Sequence, residues 1–266
     1  MSTYPDLTEQ VTLARLAQKK RKGEKIVVLT AYDYPLALLV DGSGVDITLV
    51  GDSLGMEELG YETTLPVTME IMLHHTKAVQ RGTKRALLVA DMPFLSYQVN
   101  ADEAVRNAGR LMQEGGANAV KLEGGVTIAP TIKRITDAGI PVMAHIGFTP
   151  QSVHLLGIRK QGKNEAGAKQ VRDDALAVQE SGAFVVVLEL IPDELAAQIT
   201  AELTIPTIGI GAGPNCDGQV LVTSDLLGLR SDRAPLKHVK QYAHIGEDIA
   251  RALQVFREEV EAKQFP

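Results

Sequence analysis

The chain has 266 residues, of which 45% are hydrophobic and 23% charged, and it contains a single cysteine. This length is sufficient for a large hydrophobic core, and a lone cysteine excludes an intrachain disulfide framework and fits a reducing, cytoplasmic location. The formal net charge of −6 argues against nucleic acid and anionic membranes as partners, and the apolar runs are far shorter than a membrane span.

Short β-branched segments alternate with helical segments along most of the chain. Strand-like composition occurs at residues 26–30, 46–50, 86–90, 119–123, 141–146, 184–190, 206–210 and 219–223. Apolar spacing typical of helices occurs between them, at residues 69–81, 101–114, 127–138, 165–181 and 192–202. The last strand follows its predecessor too closely for an intervening helix, which predicts a truncated final repeat.

This alternation predicts an α/β fold. Strands that are apolar on both faces, such as the one at 184–190, are typical of parallel sheets covered by helices. An open doubly wound sheet and a closed barrel both have this pattern, but about eight strands in roughly 250 residues favour the barrel. We therefore predict a (β/α)8 TIM barrel as a single domain over residues 1–266, with an N-terminal capping helix at 8–22, whose basic end is solvated, and an extended C-terminal helix at 236–262.

Polar or glycine-rich segments end six consecutive predicted strands. In TIM barrels the active site lies at the carboxyl ends of the strands. The residues at these ends are Asp52, Ser53, Asp91, Lys121, Glu123, His145, Glu189 and the glycine-rich run at 209–213. Alternate strand residues share a face, so Lys121 and Glu123 point the same way, and Glu189 shares a face with Val185 and Val187. We expect the charged residues to converge at the mouth of an aliphatic barrel.

Each of these features has a structural alternative. Asp52, Ser53 and Asp91 are equally compatible with caps of the helices that follow, and a single His145 is more often a hydrogen-bonded core residue than a ligand. The run at 209–213 lacks the spacing of a dinucleotide fingerprint and is predicted to be a tight turn. The convergence of many charged groups at one rim favours catalysis.

Two aspartates at the ends of neighbouring strands make an oxygen site suited to Mg²⁺. An ion bound by Asp52 and Asp91 leaves room to chelate a 2-oxo acid and to stabilise its enolate. Glu189 is the candidate base for the neighbouring C–H proton. Lys121 would neutralise the substrate carboxylate or a developing oxyanion, and Glu123 would hold a water at the metal or orient Lys121.

Eight segments resemble the ketopantoate hydroxymethyltransferase family. They are TAYDYP (30–35), LVGDSLGM (49–56), TTLPVTMEIMLHHTKAV (63–79), ADMPF (90–94), NAVKLEGG (118–125), HIGFTPQSV (145–153), LELIP (188–192) and IPTIGIGAG (205–213). The resemblance implies a (β/α)8 barrel that transfers a one-carbon unit from 5,10-methylenetetrahydrofolate to 3-methyl-2-oxobutanoate, forming 2-dehydropantoate for pantothenate and coenzyme A synthesis. It also implies a homodecamer.

The resemblance also implies roles for individual residues. Asp52 and Asp91 would bind Mg²⁺, with Glu123 acting behind the metal through water, and Glu189 would be the base. The substrate would contact Asp52, Ser53, Asp91, Lys121 and His145. One segment departs from the family pattern: LLGIRKQGKNEAG (155–167) lacks a usual glycine and is about one residue shorter. It overlaps a predicted lid at 147–164.

Two other functions are compatible with the same residues. One is a related Mg²⁺ barrel enzyme that cleaves or rearranges a 2-oxo or phosphoenol acid. Such a lyase usually relies on a cysteine or an additional acid in a mobile loop, whereas Cys216 follows the seventh predicted strand. The other is a binding or scaffold protein that retained the barrel without its chemistry.

Overall fold

The computed structural model describes residues 9–230, 232 and 239–265. Within these residues, eight parallel strands close into a barrel and pair in chain order. They are β1 (Ile26–Thr30), β2 (Ile47–Val50), β3 (Leu87–Asp91), β4 (Ala119–Glu123), β5 (Val142–Gly147), β6 (Val185–Glu189), β7 (Thr207–Ile210) and β8 (Gly218–Leu221). The predicted (β/α)8 barrel is confirmed; β1 and β4 match their predicted bounds, and the other strand boundaries differ by at most two residues.

Helices occupy most connections between the strands. One helix precedes β1, two follow β8, and the others lie between strands. In chain order the helices of the described residues are α1 (Leu13–Lys22), α2 (Tyr34–Gly42), α3 (Leu54–Glu57), α4 (Met69–Gly82), α5 (Ala101–Gln113), α6 (Ala129–Asp137), α7 (Val153–Leu156), α8 (Glu165–Glu180), α9 (Asp193–Glu202), α10 (Thr223–Leu227) and α11 (Ile245–Glu261). The sequence pattern missed α2, because its composition is apolar on nearly every side and gives no amphipathic period. Asp33 begins this helix by accepting a 2.7 Å hydrogen bond from the Leu36 backbone nitrogen.

The last repeat is truncated as expected. Residues 211–217, all within the described chain, contain no helix between β7 and β8. Gly209 and Ile210 end β7, and the rest of the run, at 211–213, begins the short turn to β8. A dinucleotide fingerprint is excluded, because it needs a helix directly after the glycines. The strand prediction at 219–223 ran too far, since Thr223 already belongs to α10.

Aliphatic side chains from alternate strand positions fill the barrel interior. They are Ile26, Val28, Ile47, Leu49, Leu87, Val89, Ala119, Met143, Val185, Val187, Ile208 and Val220. The opposite faces of the strands, for example at Leu88 and Val186, pack with residues of the surrounding helices. An interior built from Val, Ile, Leu and Ala explains how a large core forms without tryptophan.

The N-terminal helix closes the amino-terminal end of the barrel. Leu16 of α1 is completely buried within the interior cluster. Lys19 Nζ lies 2.6 Å from Asp46, and Lys20 Nζ lies 2.7 Å from Asp217, two residues that directly precede β2 and β8. The capping helix is confirmed, although it begins at Leu13. The predicted solvated end was wrong for Lys19 and Lys20, because both lysines anchor the helix to strand starts.

We expect Leu16→Ala to lower the free energy of unfolding by about 2–5 kcal/mol, since it leaves a cavity where α1 meets the barrel interior. Urea denaturation would measure this loss. Leu155→Ala is the matched control, because Leu155 is 85% exposed and its truncation should cost less than about 0.5 kcal/mol. Equal effects of the two substitutions would contradict the assigned role of α1.

The chain divides into two compact units, one ending at Val220 and the other beginning at Leu221. The second unit contains α10 and the extended C-terminal helix, α11, which begins at Ile245; residues 236–238 of the predicted range lie outside the described residues. The assignment of 1–266 to a single domain stays a prediction. Among the helices described, none has the length and apolar character needed to cross a lipid bilayer.

Candidate active site

The carboxyl ends of β3 to β6 bring the predicted charged residues together. Asp91 is paired in register with Lys121, and Glu123 with His145. Each follows an interior aliphatic position by two or four residues, so its side chain faces the barrel axis. Glu189 ends β6 two residues after the interior Val187. The expected convergence at the barrel mouth is therefore present.

Asp91 is the centre of this cluster. Its Oδ2 accepts a 2.8 Å hydrogen bond from Lys121 Nζ and a 3.1 Å bond from the backbone nitrogen of Asp52. Its Oδ1 is buried without a hydrogen-bond partner. Asp91 thus does not cap a helix, and one of its oxygens is available to a ligand.

Burial and neighbouring charges shift the pKa values of Lys121 and Asp52. Burial alone would lower the pKa of the Lys121 amine, but the surrounding carboxylates, Asp91 foremost, raise it above its usual range. Burial and the neighbouring charges of Asp91 and Glu123 raise the pKa of Asp52 well above its ordinary value. The cluster therefore contains the Lys121 ammonium and more carboxyl groups than this one charge balances. A divalent cation bound there would favour the ionised form of Asp52.

Ser53 faces the site from the start of α3. Its Oγ lies 2.8 Å from the hydroxyl of the buried Tyr32, and the side chain forms no capping bond to α3. A Cβ at Gly51 would lie 2.7 Å from Ser53 Oγ and 3.6 Å from Asp91 Oδ2. Glycine at position 51 therefore leaves room for the two polar groups beside it.

His145 lies between two carboxylates. Its Nε2 is 3.0 Å from Glu189 Oε2, and its Nδ1 is 3.5 Å from Glu123 Oε1. Burial would lower the pKa of His145, but Glu123 and Glu189 raise it to about 9, so the ring is an imidazolium at neutral pH. His145 in turn lowers the pKa of Glu123 against the opposing effect of burial. His145 is therefore a buried residue between two acids, and its contact with a substrate stays a prediction.

Glu189 is the most accessible of these charged side chains. Its side chain is 15% exposed, compared with 3–6% for Asp91, Lys121, Glu123 and His145. Gly147, with a φ of +91°, brings the neighbouring loop so close that a Cβ there would lie 2.3 Å from the Glu189 carbonyl oxygen. The backbone of Glu189 is therefore fixed by β5, while its carboxylate remains open to a ligand.

Gln151 and Tyr97 also contact the site residues, but their positions were not predicted from the sequence. Gln151 begins the loop after β5, and its Nε2 donates a 2.8 Å hydrogen bond to Asp52 Oδ2. The Tyr97 hydroxyl, from the loop after β3, accepts a 3.0 Å bond from the Glu123 backbone nitrogen. The signal for Gln151 was its place six residues after His145, in a polar segment at a strand end.

The arrangement of the carboxylates would suit an open Mg²⁺ site better than a metal ion that is enclosed by protein ligands. Over the described ranges, no group of three or more His, Cys, Asp or Glu residues is placed to enclose a metal ion. Mg²⁺ usually binds through one or two carboxylates and completes its shell with water and substrate. Asp52 and Asp91 would supply that pair. Among the described residues, the buried Oδ1 of Asp91 and Oε1 of Glu123 have no hydrogen-bond partner.

The sequence and the fold are similar to those of known proteins. The sequence profile described as Ketopantoate hydroxymethyltransferase matches residues 10–266. The 3-methyl-2-oxobutanoate hydroxymethyltransferase of Moorella thermoacetica is 57% identical over 97% of this chain and 96% of its own length. That of Syntrophus aciditrophicus is 55% identical over 97% and 94%. A solved phosphonopyruvate hydrolase complex with oxalate and Mg²⁺ superposes with a TM-score of 0.63 at 13% identity, covering 96% of this chain and 88% of the hydrolase, which indicates a shared fold only.

Proposed function

The chain belongs to the ketopantoate hydroxymethyltransferase family, and on that premise we propose that it transfers a hydroxymethyl group from 5,10-methylenetetrahydrofolate to 3-methyl-2-oxobutanoate. It is a transferase of pantothenate synthesis, because its relatives of 54–57% identity are named 3-methyl-2-oxobutanoate hydroxymethyltransferase. The product would be 2-dehydropantoate. The observation that carries the proposal is the convergence of Asp52, Asp91 and Lys121 beside an accessible Glu189.

Mg²⁺ is the proposed cofactor, bound by Asp52 and Asp91 with Glu123 behind it. When bound, the ion would act as a Lewis acid that lowers the energy of the enolate of the 2-oxo acid. Lys121, held 2.8 Å from Asp91, would neutralise the substrate carboxylate. Ser53 lies at the same rim and would donate its hydroxyl to that carboxylate.

Glu189 would remove the C3 proton of the substrate. His145 Nε2 lies 3.0 Å from Glu189 Oε2 and would hold this carboxylate in place for the proton transfer. His145 is buried between two acids, so it would orient Glu189 rather than take up the proton itself. The enolate carbon would then form a C–C bond to the one-carbon unit, whose bonds to the two folate nitrogens break, and water would supply the hydroxyl oxygen. The C3 proton and the two protons of that water would end on the new hydroxyl group and on the two nitrogens of tetrahydrofolate.

The test is proton exchange without folate. The purified protein with Mg²⁺ and 3-methyl-2-oxobutanoate in D₂O should replace the C3 proton by deuterium, as followed by NMR. EDTA should abolish exchange, and excess Mg²⁺ should restore it. Adding 5,10-methylenetetrahydrofolate should then yield 2-dehydropantoate. Exchange without product would contradict the folate donor, and a metal-independent exchange would contradict the assigned role of Mg²⁺.

The same assay tests the alternatives. A lyase or mutase would cleave or rearrange a 2-oxo or phosphoenol acid without folate, and a scaffold protein would give no turnover above the protein-free control. Full-length identity of 54–57% to transferases weighs against both. Light scattering of the purified protein would test the decamer that the family resemblance implies.

A further inference from the structure

Gln151 occupies an unusual position between the site and the loop after β5. It lies in a 3₁₀ turn, Pro150–Ser152, and its side chain is buried. A few residues later the same loop exposes Leu155 and Ile158, which are 85% and 80% accessible. The burial of this polar side chain must be compensated by hydrogen bonds, because burying an amide without them is costly in free energy.

Every hydrogen-bonding group of the Gln151 amide is used. Its Nε2 donates to Asp52 Oδ2 at 2.8 Å and to the Met92 carbonyl oxygen at 2.9 Å. Its Oε1 accepts from the Tyr97 hydroxyl at 2.7 Å and from Gln98 Nε2 at 3.0 Å. Both partners of Nε2 are acceptors, so only this orientation of the amide satisfies the network when Asp52 is ionised.

The backbone of the same residue holds a second carboxylate. Its N–H donates a 2.9 Å hydrogen bond to Glu123 Oε2. Tyr97 completes the arrangement, because its hydroxyl also accepts from the Glu123 backbone nitrogen. One residue therefore connects the loops after β2, β3 and β5 with the end of β4.

We propose that Gln151 is a positioning residue that holds Asp52 and Glu123 in the orientation needed to bind Mg²⁺. The inference rests on the proposed function, since it assigns a partner to the same metal site. A donor on one oxygen of a carboxylate restricts its rotation and directs the other oxygen toward the ligand. The loop after β5 would thereby be coupled to metal binding through a single side chain.

The test compares Gln151→Met with the wild type and with Gln161→Met. Methionine keeps the volume and the backbone bond to Glu123 but removes the bonds to Asp52 and Met92. Calorimetry should give a Mg²⁺ affinity about 10–100-fold weaker than wild type. Gln161 lies in the same loop, and its side-chain amide donates to the Arg159 carbonyl oxygen rather than to a carboxylate of the site, so its variant should bind Mg²⁺ like the wild type.

A second readout separates positioning from a general loss of structure. In the exchange assay, Gln151→Met should raise the Mg²⁺ concentration for half-maximal rate by the same factor, and saturating Mg²⁺ should recover most of the wild-type rate. A Mg²⁺ affinity within twofold of wild type, or a rate that Mg²⁺ does not recover, would overturn the inference. A wild-type protein that binds no Mg²⁺ would instead overturn the metal of the proposed function.

A further variant keeps the inference testable if Gln151→Met does not fold. Tyr97→Phe removes the donor to Gln151 Oε1 but leaves the bond from Gln151 to Asp52. The amide is then less well oriented, so the Mg²⁺ affinity should fall severalfold, by less than the change expected for Gln151→Met. An unchanged affinity in a folded Tyr97→Phe protein would count against the network.

Discussion

Glu189→Gln is expected to slow exchange of the C3 proton of 3-methyl-2-oxobutanoate about 100–10,000-fold, the range that a general base contributes. The substitution preserves the shape of the side chain and its place beside His145, 3.0 Å away in the wild type. It removes the basic oxygen, because a neutral amide cannot accept the proton at useful rates. Mg²⁺ and substrate binding should be nearly unchanged, since Asp52, Asp91 and Lys121 stay in place.

Two comparisons make this experiment decisive. Asp52→Ala should weaken both substrate binding and exchange, because it removes a carboxylate of the proposed Mg²⁺ site. Glu194→Gln, on the exposed surface of α9, makes the same chemical change away from the site and should leave exchange unaltered. NMR would give the rates and calorimetry the affinities. If the Glu189→Gln protein still exchanged at the wild-type rate, the base would have to be another group.

The alternation of side chains along strands explains why much of the site was predictable. Once β4 and β6 are recognised, a period of two residues places Lys121, Glu123 and Glu189 on the inner face, and parallel strands bring their ends to one rim. The structure brings them together there. The metal, substrate and catalytic roles of these residues are not decided by this geometry and stay predictions.

Other parts of the site lie in irregular loops, whose residues show no hydrophobic periodicity in the sequence. Gln151 and Tyr97 lie in connections after β5 and β3, and their contacts depend on how those loops fold back over the barrel mouth. The anchoring of Lys19 and Lys20 was missed for a related reason. A run of lysines at a helix end is typical of a solvated surface, and only the closed barrel brings Asp46 and Asp217 within reach.

Among the described residues, the cluster at the barrel mouth combines three closely packed carboxylates, Asp52, Asp91 and Glu123, with two cationic groups, Lys121 and His145. Like charges at this spacing raise the free energy of the folded protein, as the raised pKa of Asp52 indicates. Perturbed pKa values of this kind are typical of functional sites. The Lys121 ammonium offsets part of this repulsion, because its side chain is only 6% exposed and its Nζ lies 2.8 Å from Asp91.

Lys121→Met should therefore lower the free energy of unfolding by about 3–5 kcal/mol in EDTA, as expected when one partner of a buried ion pair is removed. Methionine fills a similar volume, so the loss would come from charge rather than from a cavity. Urea denaturation would measure it. Lys169→Met is the control: Lys169 forms a 2.6 Å pair with Asp173, is 75% exposed, and should contribute less than about 1 kcal/mol.

A double variant identifies the electrostatic origin of the effect. Adding Asp91→Asn to Lys121→Met removes the carboxylate that lost its cation, while the amide oxygen of asparagine can still accept the bond from the Asp52 nitrogen. We expect the double variant to regain at least about 1 kcal/mol over Lys121→Met, a coupling typical of residues in one network. It should nevertheless bind Mg²⁺ poorly. Additive losses would mean that Lys121 stabilises the barrel by packing, and that the charge balance of the cluster is maintained by other groups.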